Sequence, residues 1–286
     1  MIIDVHSHVG NWVPGSWHPP RPPQVAGWVR TFYDLIELPR EEFLEHHLRA
    51  ASEVDRMVVF AIARGDATAL NDEVADYVAR HPDKFIGFAS VDPTVHGAVA
   101  EAERAITRLG LRGLKMSPVY QHYDPTDRDR LYPIYEMAQA QDVPILVHQA
   151  TTYYQFANLT DAQPYRFDRA LRDFPRLTLI LAHMGAPWYA ECAALVRKHP
   201  RAYADISSNF HRPWTWYQAL LTFYEWGVMD KLVLATDFPV ITPAAQIEHL
   251  FKANAIPRAA GLPTIPEAAL ERIVSRNAEE ALAPIL

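Results

Sequence analysis

A single cysteine, Cys192, leaves no intrachain disulfide available, as expected of a protein from a reducing cytoplasm. Its place in a helical stretch reads as packing. Long apolar runs are missing too. Residues 177–182 are typical, far short of the roughly 20 residues that a bilayer requires, so no membrane span is expected. Positive charge is in deficit, with 27 Lys and Arg against 34 Asp and Glu and a net charge of −7, so no basic stripe stands ready for a nucleic acid. The opening Met1-Ile2-Ile3-Asp4 shows neither a basic leader nor a cleavage site, so no signal peptide is expected. Charged residues make up 21% of the chain, too few and too evenly spread for disorder. These exclusions leave a cytoplasmic globular protein whose partner is a small molecule.

What is present is a regular alternation. Short β-type runs occupy 2–8, 57–63, 85–91, 111–117, 143–149, 177–183, 202–207 and 231–237. Several are continuously apolar, as parallel strands covered on the outside by helices should be. Amphipathic stretches fill the gaps at 41–54, 69–81, 95–109, 128–141, 164–174, 187–199, 214–227 and 243–254, and a last helix is expected over 266–283. Eight β–α units predict an α/β fold, a closed (β/α)8 TIM barrel, in preference to a doubly wound open sheet. One domain over 1–286 is expected, with a C-terminal helical segment over 256–286. Arg80-His81-Pro82, Asp173-Phe174-Pro175 and Lys198-His199-Pro200 end helices shortly before strands, which assigns them to turns on the bottom of the barrel and makes His81 and His199 poor ligand candidates.

Residues 10–39 are the one long irregular stretch, with Trp12, Trp17, Trp28, Tyr33, His18, Arg21, Arg30 and prolines 14, 19, 20, 22 and 23. Following the first strand, this segment is expected over the top of the barrel as an active-site loop spanning 10–40. A proline-rich surface excursion is the bland alternative.

The chemistry centres on Asp4-Val5-His6-Ser7-His8. Residues two apart on a strand share a face, so Asp4, His6 and His8 line one side, with the two imidazoles able to reach one metal. A His-x-His pair alone is equally compatible with a satisfied core pair. Three further residues shift the balance: His148, His183 and Asp237 each close an apolar strand at its C-terminal end, where active sites of this fold gather.

This order, Asp-x-His-x-His on the first strand, His on the fifth, His-x-Gly on the sixth and Asp on the eighth, resembles the amidohydrolase superfamily. Gly113-Leu114-Lys115-Met116-Ser117-Pro118 followed by Leu131-Tyr132-Pro133-Ile134-Tyr135-Glu136 is similar to its amidohydrolase-related branch, which also contains aminocarboxymuconate semialdehyde decarboxylase. The resemblance implies His6, His8, His148 and Asp237 as ligands of one divalent metal and His183 as a nearby acid or base. Relatives in this branch are often dimers, so the resemblance allows a homodimer, while the residues themselves do not fix the oligomeric state. Lys115 occupies the place where relatives with two metals carry a carbamylated lysine; its ordinary reading is a cation near Asp237 or an anionic substrate.

A His3Asp set suits Zn²⁺ best and also accommodates Mn²⁺ or Fe²⁺. Such an ion lowers the pKa of bound water towards about 7, with His183 and Asp237 placed to move protons. Aromatics in the top loops (Tyr120, Tyr123, Tyr153, Tyr154, Phe156, Phe210, Trp214) suggest a flat apolar pocket, with Trp12 and Tyr153 in its wall and Arg21 and Arg212 clamping a carboxylate. The leading expectation is a metal-dependent hydrolase acting on a small planar anionic amide, ester or lactone. A non-oxidative decarboxylase of a small unsaturated or aromatic acid needs the same ligands and ranks second, and a non-catalytic metal-binding barrel third.

Overall fold

In the computed structural model, which describes residues 1–22 and 27–286, the apolar runs form parallel strands. They are β1 (Ile3–His8), β2 (Arg56–Phe60), β3 (Phe85–Gly87), β4 (Ala89–Ser90), β5 (Leu114–Met116), β6 (Ile145–Val147), β7 (Leu179–Leu181), β8 (Ala202–Asp205) and β9 (Leu232–Val233). Pairing runs β1-β2-β3 and β4-β5-β6-β7-β8-β9, and every ladder is parallel. The expected third strand is thus split at Phe88, whose amide donates to Val59 at 3.0 Å while that of Ala89 donates to Gly113 at 2.8 Å. Gly113 is required at this crossing, because a Cβ there would stand 2.6 Å from the Phe88 ring.

The first and last strands close the circle. The Val5 amide donates to Leu234 at 3.0 Å, that of Asp237 to His6 at 2.8 Å and that of His8 to Phe238 at 2.8 Å. Asp4 reinforces the seam, accepting from the Thr236 hydroxyl at 2.5 Å, the Thr236 amide at 3.0 Å and the His6 amide at 3.1 Å. The result is the closed eight-stranded barrel expected from the alternation, with its strands lined by buried aliphatics. No helix among the described residues is long and apolar enough to cross a membrane.

Several elements depart from the sequence reading. The 10–39 stretch contains an α-helix, Gly27–Ile36, whose Tyr33 and Ile36 are buried. The expectations for Pro23 and for the side chain of Trp28 lie outside the described residues. The helix expected over 164–174 begins as a 3-10 turn, Pro164–Phe167, before continuing as Asp168–Asp173. The helix expected over 266–283 breaks at Arg276 into Glu267–Ser275 and Asn277–Leu282. There the buried Asn277 amide donates to the carbonyls of Met229 and Leu232, tying the C-terminal segment to the start of β9. His199 sits against Asp168 at 2.8 Å and His81 beside Phe85, both away from the strand ends that carry the other histidines.

One buried histidine belongs to the fold itself. His47, on the helix Arg40–Ala51, is fully buried and stacks at 6° on Phe238. Ser7 donates its hydroxyl hydrogen to Val58, so its oxygen accepts from His47 Nε2 at 3.2 Å, and His47 Nδ1 accepts from the Tyr77 hydroxyl at 2.7 Å. One neutral tautomer satisfies all three bonds, and burial pushes the ring down to about 3 from the ordinary 6.5. The unfolded chain therefore binds this proton below pH 6.5 while the folded chain does not, so stability falls as pH drops from 6.5 towards 3. At pH 5 the His47 contribution is about 2 kcal/mol. His47→Phe should be less stable at pH 7, yet its loss of stability between pH 7 and pH 5 should be smaller than wild type by about that amount, as read from urea unfolding at both values. Parallel pH profiles would refute the assignment.

Candidate metal centre

Strand alternation turns His6 and His8 inward at the end of β1, and the β1–β9 seam sets Asp237 opposite them. His8 Nε2 lies 2.9 Å from Asp237 Oδ1, His6 Nε2 lies 3.2 Å from the same oxygen, and the two ring nitrogens are 3.3 Å apart. Three potential ligand atoms from buried or nearly buried side chains thus form a compact triangle. Ligand atoms about 2.0–2.1 Å from a shared ion lie roughly this far apart.

The electrostatics fit a cation. Burial and the Lys115 ammonium push His6 down, but the Asp237 and Asp205 carboxylates outweigh them and leave it above the ordinary imidazole value. Burial alone would raise Asp237, yet the charges and hydrogen bonds of His6 and His8 hold it well below the usual carboxylate range. His8 is lowered to about 4 by burial. Its other ring nitrogen and Nε2 of His148 are buried without a hydrogen-bond partner among the described residues. The donor set therefore suits a divalent ion held by His6, His8 and Asp237, with His148 Nε2 free as a further donor.

The structure does not draw His148 into the triangle. His148 Nδ1 faces His183 Nε2 at 3.2 Å, and His183 Nδ1 meets the Ser207 hydroxyl at 2.7 Å. His183 is held at about 4 by burial and so is neutral at neutral pH. Its backbone is left-handed (φ 61°), as are Met184 (φ 55°) and Gly185 (φ 69°); Ser208 (φ 57°) and Asp237 (φ 58°) share this conformation. Each such non-glycine residue costs of order 1–3 kcal/mol, the strain typical of functional positions. Gly185 allows the turn, since a Cβ there would meet Pro164 at 2.6 Å and Cys192 at 2.9 Å.

Above the triangle lies a cavity of about 340 Å³ walled by His18, Phe32, Ile62, Tyr120 and Val240, with Tyr153 and Arg212 also lining it. Arg212 makes no ion pair among the described residues. Arg21 and Trp12, expected in this wall, do not line it. Arg21 pairs with Asp34 and stacks 5.3 Å over Tyr33, because the helix within the loop offers it nearer partners. Trp12 lies beneath Arg40 and against Tyr77 on the outer side of the barrel. Lys115 is 1% exposed and lies below the cavity, 3.4 Å from His6 Nε2 and 4.4 Å over the Phe60 ring, with burial lowering it to about 8.

The sequence reading overlooked Asp205, Ser207 and Ser208. Asp205 is fully buried at the end of β8; it accepts from His6 Nδ1 at 2.7 Å, the His183 amide at 2.9 Å and Ser207. Its signal, a carboxylate ending an apolar run, is the one that singled out Asp237. Ser208 donates to Asp237 Oδ2 at 2.5 Å. His18, in the loop expected over the top of the barrel, packs 5.3 Å from His8 and 5.5 Å from Phe32.

Metal stripped by a chelator and restored as Mn²⁺ or Zn²⁺ at 100 times Kd should stabilise the fold by about 2.7 kcal/mol, seen as a rise in Tm. His8→Ala should lose that rise. An equal shift in the variant would place the ion elsewhere.

The chain is 27% identical over 231 residues to γ-resorcylate decarboxylase of Rhizobium radiobacter, an alignment covering 65% of this chain and 68% of the relative. Among solved structures it is similar to a TIM-barrel protein of undefined function from Bordetella bronchiseptica (TM-score 0.70, 23% identity, 99% of both chains). It also resembles a dihydroxybenzoic acid decarboxylase from Polaromonas sp. JS666 with bound manganese and the inhibitor 2-nitroresorcinol (TM-score 0.67, 19% identity, 99% of this chain and 96% of that one). A family profile described as amidohydrolase matches residues 3–283, and the chain therefore belongs to the amidohydrolase family.

Proposed function

We propose that this protein is a metal-dependent, non-oxidative decarboxylase of a small, planar, monoanionic acid. The observation that carries the reading is one cavity joining an Arg212 guanidinium without an ion-pair partner among the described residues to a histidine–carboxylate floor, in a chain similar over 231 residues to a γ-resorcylate decarboxylase. The hydrolase favoured by sequence alone uses the same floor; it gives way because the relatives matched in sequence are decarboxylases.

His6, His8 and Asp237 would hold the ion, with His148 as a fourth donor, and manganese joins zinc as a candidate on the strength of the Polaromonas structure. When bound, such an ion supplies a Lewis acid for an anionic substrate oxygen. The remaining work falls to the side chains. Arg212 binds the carboxylate by charge-assisted hydrogen bonds. Phe32, Ile62, Tyr120 and Val240 flank a flat ring and exclude water. Lys115 keeps positive charge beneath His6.

Proton movement follows from the resting charges. At neutral pH His183 is a neutral imidazole with a single ring hydrogen and Asp237 is a carboxylate, so the hydrogen that replaces CO₂ must first be captured. Asp237 suits this task, because Oδ1 faces the imidazoles while Oδ2 accepts from Ser208. In this reading a proton from a buffer acid in the solvent passes through Asp237 to the carbon bearing the carboxylate, and the buffer's conjugate base stays in solution, so one proton enters for each CO₂ that leaves. The C–C bond then breaks, its electron pair returns to the ring, and CO₂ departs.

With hydroxybenzoates including γ-resorcylate in D₂O, the product should carry one deuterium at the vacated carbon, matched by one CO₂. Acid release from lactones or amides without CO₂ would restore the hydrolase reading. Arg212→Gln should raise KM for the carboxylate substrate by about 10–100-fold, the loss of a charge-assisted contact of about 1.5–3 kcal/mol. An unchanged KM would remove Arg212 from the binding site.

A further inference from the structure

Asp205 does not line the cavity, yet one of its oxygens accepts from His6 in the triangle and the other leads through Ser207 to His183 in the cavity wall. A carboxylate can only accept, so the direction of every hydrogen around it is determined. Oδ2 faces His6 Nδ1 at 2.7 Å, which places the hydrogen of a neutral His6 on Nδ1 and a lone pair on Nε2, the atom in the triangle. Oδ1 receives the Ser207 hydroxyl hydrogen at 2.5 Å. The Ser207 oxygen must then accept from His183 Nδ1, so His183 Nε2 carries a lone pair. That lone pair faces His148 Nδ1 at 3.2 Å and places the hydrogen there, which leaves a lone pair on His148 Nε2, an atom with no hydrogen-bond partner among the described residues.

We infer that Asp205 is a positioning residue that sets the tautomers of His6, His183 and His148 together, so that His6 and His148 present their Nε2 lone pairs to one ion. The inference rests on the metal-site reading above and adds what selects its donor atoms. Outer partners of ligating histidines commonly have this effect. The arrangement is also asymmetric. Oδ1 serves two backbone amides, of His183 and Ser207, besides the Ser207 hydroxyl. In Asp205→Asn the carbonyl oxygen must stay with those donors, which turns the amide NH₂ towards His6 Nδ1. His6 would then accept at Nδ1 and carry its hydrogen on Nε2, where it blocks coordination.

The test uses the full chain with ¹⁵N-labelled histidine, metal-free for ring-nitrogen NMR and titrated with Mn²⁺ against a chelating dye. Wild type should bind Mn²⁺ and, in spectra of the metal-free protein taken at a pH high enough for a neutral His6 ring, show its hydrogen on Nδ1. Asp205→Asn should exchange the His6 nitrogen shifts and weaken Mn²⁺ binding by about 10–100-fold. Ser207→Ala should leave the His6 pattern intact and alter those of His183 and His148. A merely structural role for Asp205 would lower Tm without exchanging the shifts, and that result, or Mn²⁺ affinity within twofold of wild type, overturns the inference. If Asp205→Asn does not fold, unchanged His183 and His148 patterns in Ser207→Ala overturn it instead. Wild type that binds no divalent ion while keeping these tautomers refutes the metal reading alone.

Discussion

The seam between β1 and β9 is the constraint on which the rest depends. Asp237 is separated from His8 by 229 residues, yet its amide bonds to the His6 carbonyl at 2.8 Å. That bond belongs to the barrel ladder, so closing the fold and assembling the triangle are one event. Asp4 makes the seam specific: its carboxylate gathers both polar hydrogens of Thr236 and the His6 amide in a fully buried setting. A buried carboxylate is costly unless such donors surround it, which ties its burial to correct pairing of the first and last strands.

Above the seam, the backbone departs from β geometry at the positions that carry chemistry. His183, Ser208 and Asp237 all adopt left-handed conformations just past the ends of β7, β8 and β9. Left-handed residues stop a strand and redirect its last side chain. The hydrogen bonds of Asp205 and Asn209 hold this strain in place: the His183 amide bonds to Asp205, and Asn209 donates to the His183 and Ser207 carbonyls at 3.0 Å. Rigid strands thus locate the site, while a few strained residues aim it.

The parts legible in sequence are those governed by period and position along a strand. Alternation put His6 and His8 on one face, and the ends of apolar runs marked His148, His183 and Asp237, all of which border one cavity or its floor. Asp205 carried the same mark as Asp237, but its partners, His6 and the His183 amide, are distant in sequence. The loop after β1 was less legible. Its aromatic and proline content disguised the helix Gly27–Ile36, and that helix supplies Asp34 and Tyr33 to capture Arg21. A loop arginine has a long reach, and which anion it meets depends on tertiary neighbours that composition does not encode. Arg212 differs because the turn after β8 and the start of the helix Pro213–Glu225 fix its backbone at the rim.

This division between strands and loops bears on what the family fold can and cannot decide. The strand-borne groups can serve hydrolysis and decarboxylation alike, because each needs charge stabilised near a carbonyl or carboxylate and a base that can become an acid. Reaction choice must then come from what the walls admit and orient. Here the loop after β1 brings Phe32 and His18 over His8, and Tyr33 joins it to the β6 loop by bonding to both the Pro19 carbonyl and the Tyr153 hydroxyl. The wall is therefore built from two loops held together across the opening. An apolar enclosure of this kind disfavours a charged carboxylate and favours the neutral CO₂ that replaces it, and Arg212 at the rim offsets that penalty for the bound acid. Under the decarboxylase reading proposed above, the balance between an apolar wall and one rim cation would link this loop architecture to loss of CO₂.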